Sequence, residues 1–295
     1  MDSTLNFFIK TVYSEMYESN ATYRSIMTKF SDAFEKLLNN EKLVALAATI
    51  MMIGTSIMVL YFLFEIAGMA SEKNFSINQM FRALLKILIA YMLITNALIL
   101  VKYFVQFGDV LSNEISIDFT TSFFSEAKNQ KMFLEGLDNL GSVEKIGLIA
   151  NFAFPFLFAM VAKGGLIFVI MSRIIELVVR TIFAPFAVAD CFQDFSRSTA
   201  IRYLKKILAL SLQLVVISGI CIGTSLLFQE INGSGDPLTD LLKAGVTGQS
   251  YTTASIRNFI DHIFGNNYWW CLGLMLTKIG LLVKSLSICN DIVGV

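Results

Sequence analysis

Residues Leu43–Phe64 read LVALAATIMMIGTSIMVLYFLF, 22 positions without a charge, and the apolar run resumes after Glu65 as far as Ala70. A hydrocarbon core of ~30 Å takes ~20 residues of helix, so this stretch is long enough to cross a bilayer. Three further runs share its character. Leu84–Phe107 holds charges only near its ends, at Lys86 and Lys102, and Ile207–Gln229 is 23 residues with none. Tyr268–Ile288 places Trp269 and Trp270 at one end and Lys284 at the other. Aromatic rings and long basic stems suit the headgroup level, where an apolar body and a polar tip are both satisfied.

Composition agrees with the runs. Of 295 residues, 55% are hydrophobic and 16% charged, with 26 Phe and a mean hydropathy of +0.65. Soluble domains carry about 25% charged residues to coat their surface, so this chain is too poor in charge for a water-facing globule. Its 23 basic and 23 acidic residues cancel, which removes any whole-chain case for binding nucleic acid by counterion release. The fold class expected is all-α, a polytopic transmembrane bundle of five or six spans.

The count turns on 145–191. As one helix this apolar stretch would be roughly 70 Å long at 1.5 Å per residue. It contains Pro155, Gly164, Gly165 and Pro185, residues that weaken or interrupt helices, so a break is expected. Charge bias chooses between one crossing and two. Segments 71–86 and 191–206 hold seven basic residues in 32 positions. By contrast, 108–145 has three basic against seven acidic, and 229–267 two against four. Basic loops stay in the cytoplasm. Both basic loops fall on that side with five crossings, the N-terminus outside and the C-terminus inside, with the remainder of 145–191 not spanning. The chain then divides into a polar amphipathic N-terminal tail (1–42), two spans with their loop (43–107), an acidic extracytoplasmic loop (108–144) and a C-terminal transmembrane core (145–295). The core includes the basic loop 191–206 and an outer loop 229–267.

The tail carries acids and bases throughout and lacks a short apolar core behind a basic start, so the first span is expected to act as the insertion signal. Tyr23, Ile26, Met27, Phe30, Phe34, Leu37 and Leu38 recur at helical spacing. They predict an amphipathic helix lying on the membrane or on the protein's own spans, or else docking a partner subunit.

Catalytic chemistry finds little purchase. Cys191, Cys221, Cys271 and Cys289 form no CxxC, and the single His262 precludes the two-histidine helical zinc motif. GxGxxG, GxxxxGK[ST] and GxSxG are absent. No enzyme, metal or cofactor is expected. The candidates are instead ionisable residues at membrane depth, where a charge is costly and normally faces a partner or a path: Glu65, Lys163, Glu176, Arg180 and Lys278. Glu176 and Arg180 stand four apart and can pair on one helix face, while Lys278 can reach toward a headgroup. Gly219 and Gly223 form a GxxxG that permits close helix approach, within the chain or between copies.

Arg173–Gln213 reads RIIELVVRTIFAPFAVADCFQDFSRSTAIRYLKKILALSLQ. It resembles the core of the TrbL and VirB-type polytopic subunits of type IV secretion (conjugal transfer) systems. There, an apolar helix ends in a Pro-containing segment, followed by a short polar stretch with aromatic and basic residues and then another span. The matching positions are Pro185, Phe192, Phe195, Arg197 and Tyr203, with Tyr203 in the region where a tryptophan is often found. The likeness covers about 40 residues closely, and the rest by order and polarity of spans; the length resembles the versions in mobile elements of Gram-positive bacteria. It implies an oligomeric scaffold or channel subunit in a bacterial cytoplasmic membrane. Its partners would be other machine subunits including a separate ATPase, membrane lipids, and translocated DNA or protein. A small-solute transporter permease is the rival reading.

The topology is directly testable. Reporter fusions after Met80 and after Ser198 are expected to be cytoplasmic together; opposite sides would require six crossings.

Overall fold

A computed structural model describes residues 2–71, 76–115, 127–189, 199–232 and 268–294. Within them the protein is helical, without a strand. The helices are α1 (Asp2–Met16), α2 (Ser19–Leu38), α3 (Glu41–Ser71), α4 (Ile77–Thr95), α5 (Ala97–Ile115), α6 (Ala127–Asp138), α7 (Ser142–Ala189), α8 (Thr199–Asn232) and α9 (Tyr268–Val293). Five of them are long and apolar enough to cross a membrane: α3, α4, α7, Ala200–Phe228 of α8, and α9.

Two expectations need correction. As far as Ala189, where the described part of 145–191 ends, the stretch does not break: α7 is one helix of 48 residues, running through Pro155, Gly164, Gly165 and Pro185. A proline forfeits one helical hydrogen bond, but a chain break in an apolar setting would strand several backbone groups, each at a cost of several kcal/mol. Continuity therefore wins. The second correction concerns Leu84–Phe107, which is not one span. The helix is interrupted at Asn96, whose side-chain Nδ2 donates to the Met92 carbonyl at 2.8 Å while the Thr95 hydroxyl donates to the Tyr91 carbonyl at 2.9 Å. Such local side-chain bonds compete with a regular helix. Beyond the interruption, α5 buries Ala97, Val101, Gly108 and Ser112 and leaves Lys102 and Gln106 exposed, the amphipathic pattern of a helix packed on one face only.

The chain forms two compact units, the first from residues 1–27, 113–169 and 217–284, the second from 28–112, 170–216 and 285–295. In the first unit α1 is core. Leu5, Ile9, Val12 and Met16 repeat at three- and four-residue steps and are all buried. Around them stand Phe133 and Leu137 of α6, Phe152 and Ala159 of α7, Phe228 of α8, and Cys271, Leu274 and Met275 of α9. Ring contacts seat α1 further: Phe8 stacks on Phe156 at 4.1 Å, and Tyr17, just past its end, meets Phe228 edge-on at 4.9 Å. At the start of α1, Asp2 pairs with Lys145 at 2.6 Å. That neighbour holds the Asp2 carboxyl below its usual range, chiefly through their hydrogen bond. Tyr23 and Met27 of α2, two of the tail residues that recur at helical spacing, are buried, whereas Leu37 of the same set is exposed. The apolar face of α1 lies outside that periodic set and escaped it.

In the second unit α3 and α4 pack on one another. Met58, Ala90 and Ile94 share a cluster with Val188, Ala189 and Ala200, while a long series including Met52, Leu60, Leu63, Phe81, Leu88 and Met92 is exposed. Exposed apolar side chains in such number are compatible with a lipid-facing helix pair. Two glycines set close approaches. A Cβ on Gly54 would lie 2.8 Å from the Pro185 Cβ, and one on Gly108 would lie 2.5 Å from the Ser211 carbonyl oxygen.

Because that oxygen belongs to helix backbone and cannot swing aside, Gly108→Ala is expected to destabilise by about 1–3 kcal/mol. Gly147→Ala, whose added Cβ meets nothing within 4 Å, should be neutral or gain about 0.5–1 kcal/mol from helix propensity. Thermal unfolding of both variants in detergent checks the contrast.

Candidate functional site

The ionisable residues flagged from sequence resolve, with one exception, into specific pairs. Lys278 is the most consequential. It lies mid-way along α9 and does not reach outward to a headgroup, since its side chain is 3% exposed and that of its partner Glu15 is 1%. The ammonium donates to Glu15 Oε1, to the Ser19 hydroxyl and, at 3.4 Å, to the Glu15 carbonyl. Glu15 belongs to the last turn of α1, where free carbonyls make the helix end electronegative. One cation therefore answers both a carboxylate and a helix C-terminus. Leu274, Met275 and Cys271 precede Lys278 on the same helix face, all buried, so apolar side chains wall the pair on that side. The other carboxylate oxygen, Glu15 Oε2, is buried without a hydrogen-bond partner.

In the second unit Glu65 of α3 pairs with Lys86 of α4 at 2.8 Å, both partly exposed. Glu176 accepts from Arg180 four residues on, at 2.7 and 3.0 Å, and its second oxygen accepts from Arg173 three residues back. The expected Glu176–Arg180 pair is thus a trio of net charge +1, wholly on α7. Arg180 has a further link: the Tyr203 hydroxyl of α8 donates to its backbone carbonyl. Lys163 is half-buried, and no hydrogen bond or ion pair engages it among the described residues.

The residues singled out by the resemblance divide. Pro185 packs on Gly54 and Tyr203 on Arg180, while Phe192, Phe195 and Arg197 lie outside the described residues, as do Cys191 and His262. Of the basic cluster, Arg202, Lys205 and Lys206 are exposed at the start of α8. Gly219 and Gly223 are exposed, and a Cβ on either would meet nothing within 4 Å. The GxxxG is therefore not a close-packing motif within the described part of the chain. Sequence reading missed Glu15 and Ser19. The available signal was Lys278 itself, a mid-span cation with no acid within a helical turn on α9, which demands a carboxylate from elsewhere.

A second polar grouping lies between α2 and α5. Ser31 donates to Asp109 Oδ2 at 3.4 Å and Lys102 approaches Glu35 to 3.8 Å. Burial pushes the Asp109 carboxyl above its usual range, with the Ser31 hydroxyl pulling the other way. Among the described residues no group of three or more His, Cys, Asp and Glu side chains is placed to hold a metal ion. No known family matches the sequence, and no curated protein or solved structure is similar to it.

Removing one member of a buried pair strands the other charge. Lys278→Met is expected to cost about 3–5 kcal/mol, and the double change with Glu15→Gln markedly less than the sum of the single changes. A double-mutant cycle on detergent-solubilised protein measures the coupling; additive losses would mean the two side chains do not pair.

Proposed function

We propose that this chain is a multi-pass scaffold or channel subunit of a conjugative type IV secretion machine, seated in a bacterial cytoplasmic membrane with its N-terminus outside and its C-terminus inside. The observation that carries the reading is the segment 173–213, whose order of apolar helix, Pro185, polar aromatic–basic stretch and following span resembles the TrbL and VirB-type subunits. The helices on either side of that stretch are tied by the Tyr203 hydroxyl on the Arg180 carbonyl. In this reading the subunit acts in an oligomer. Partner subunits, including a separate ATPase, supply the energy by which DNA or protein crosses, and lipids surround the exposed apolar helices.

The disposition of charge supports a scaffold. A carrier that couples transport to an ion needs an intramembrane charge free to change partners. Glu65, Glu176 and Lys278 are each neutralised at short range by Lys86, by Arg173 and Arg180, and by Glu15. The Glu65–Lys86 and Glu15–Lys278 pairs tie one helix to another, and the Glu176 pairs close on α7 itself, which suits a fixed framework rather than a cycling carrier. The exposed Arg202, Lys205 and Lys206 suit the cytoplasmic side, where basic loops stay and anionic lipid gathers. The one observation that favours a small-solute permease is Lys163, half-buried beside Gly164 and Gly165 on α7.

Clean deletion in the native host is expected to abolish conjugal DNA transfer without affecting growth, with transfer restored by the gene in trans. Normal transfer in the deletion strain would overturn the reading. Substrate-dependent flux in reconstituted vesicles, lost in Lys163→Met, would establish the permease in its place.

A further inference from the structure

Two matching stripes of side chains face one another in the second unit. On α2, Ser31, Glu35 and Leu38 stand four and then three residues apart, and on α5 Lys102, Gln106 and Asp109 do the same, so each set lies along one helix face. The two helices run antiparallel. Ser31 meets Asp109 at 3.4 Å at one end, and Glu35 meets Lys102 at 3.8 Å at the other. All six residues line a cleft of about 420 Å³ that is partly open to the surroundings. Phe34 and Val105 add apolar wall between the two polar ends.

The charges along the cleft do not balance. Lys102 and Glu35 offset one another loosely, through exposed side chains. Asp109 is half-buried and receives only the Ser31 hydroxyl, at the long end of hydrogen-bond distance; no cation among the described residues pairs with it. Burial therefore works against its charge, and a cation with hydrogens to donate would relieve it. Lys102 stands two turns away on the same face, with a long stem free to leave Glu35 for another anion. One position further round α5, Tyr103, Phe107 and Val110 form an exposed apolar row. A ligand here meets an acid without a cation, an exposed base and apolar surface beside both. A lysine or arginine side chain from a partner protein would answer Asp109 but neither of the other two. An amphiphile bearing an ammonium, a phosphate and acyl chains answers all three.

We propose that the cleft between α2 and α5 binds the headgroup of an ethanolamine phospholipid, its primary ammonium on Asp109 and the Ser31 oxygen and its phosphate on Lys102. The acyl chains then run along Tyr103, Phe107 and Val110. A primary ammonium has three hydrogens to donate, and the carboxylate and the hydroxyl oxygen accept them. A choline headgroup carries the same charge without an N–H, so Asp109 would attract it but make no hydrogen bond to it. Selectivity for the amine rests on Asp109, and affinity for the phosphate, common to both headgroups, rests on Lys102. The bound lipid would bridge α2 to α5 and hold the N-terminal tail at headgroup level. The inference rests on the five apolar helices lying in a membrane and not on the secretion reading.

The full chain in detergent is titrated with phosphatidylethanolamine or with phosphatidylcholine of the same acyl chains, and bound lipid is read by native mass spectrometry. One ethanolamine lipid is expected to bind about tenfold more tightly than its choline counterpart, the difference made by one charge-assisted hydrogen bond. Asp109→Asn keeps the side chain's size and should bring the two lipids to near parity. Lys102→Gln should weaken both and leave the preference in place. Thermal unfolding checks that each variant is folded, and the comparison on the unaltered chain needs no variant. Equal binding of the two lipids by that chain, or a preference that persists in Asp109→Asn, overturns the proposal. Retention of neither lipid would overturn it too, and would tell against the membrane reading as well.

Discussion

An ammonium buried mid-way along an apolar helix cannot be left to itself, and much of the first unit follows from how Lys278 is answered. The cost of an isolated charge in hydrocarbon exceeds any single packing term, so the fold must bring an acid to it. The acid comes from Glu15, 263 residues away in the chain, at the end of a helix whose other positions carry Leu5, Ile9, Val12 and Met16. Charge and apolar surface act together here. The apolar face of α1 gives it a place in the core, and Glu15 fixes which end of the helix lies against α9. Asp2 and Lys145 repeat the arrangement at the start of α1, so the helix is held by an acid–lysine pair at either end.

A second constraint concerns the backbone. With no water to bond freed amides and carbonyls, helices in an apolar setting tolerate residues that would end them in solution. This accounts for α7, which continues past two prolines and a glycine pair, and for the mildness of the interruption at Asn96. There the Asn96 amide still reaches the Met92 carbonyl and the Leu100 amide the Asn96 carbonyl, so the ladder is bent rather than abandoned. Charge on α7 is answered locally too: Glu176 is held by both Arg173 and Arg180 on a single helix, so its carboxylate needs no partner element. Local pairs of this kind can be read from spacing, as Glu176 and Arg180 were, whereas Arg173 joins because a carboxylate has two oxygens to offer.

Small residues serve the second unit where bulk would keep helices apart. Gly54 against Pro185 and Gly108 against the Ser211 carbonyl bring backbones within reach of one another, the form of packing that replaces the hydrophobic drive when the solvent is itself apolar. The GxxxG at Gly219 and Gly223 has the better-known pattern and makes no such contact. A motif states what a helix face permits; the neighbour that arrives decides whether it is used.

Sequence alone pointed to helices and to most of the stretches long enough to cross a membrane, because hydropathy is a sum over consecutive residues and length is read directly against bilayer thickness; the second candidate span it set at Leu84–Phe107, where the structure has Ile77–Thr95. It also located the pairing of Glu176 with Arg180, since four residues bring side chains together on any helix. It did not place α1, whose 15 residues are too short and too mixed in polarity to register as a span, nor find the break at Asn96, which depends on two side-chain bonds rather than on composition. The partner of Lys278 was equally beyond it. Burying a charge in apolar surroundings sets a pairwise demand between distant points of the chain, and only the tertiary structure, by bringing α1 against α9, decided that Glu15 would meet it.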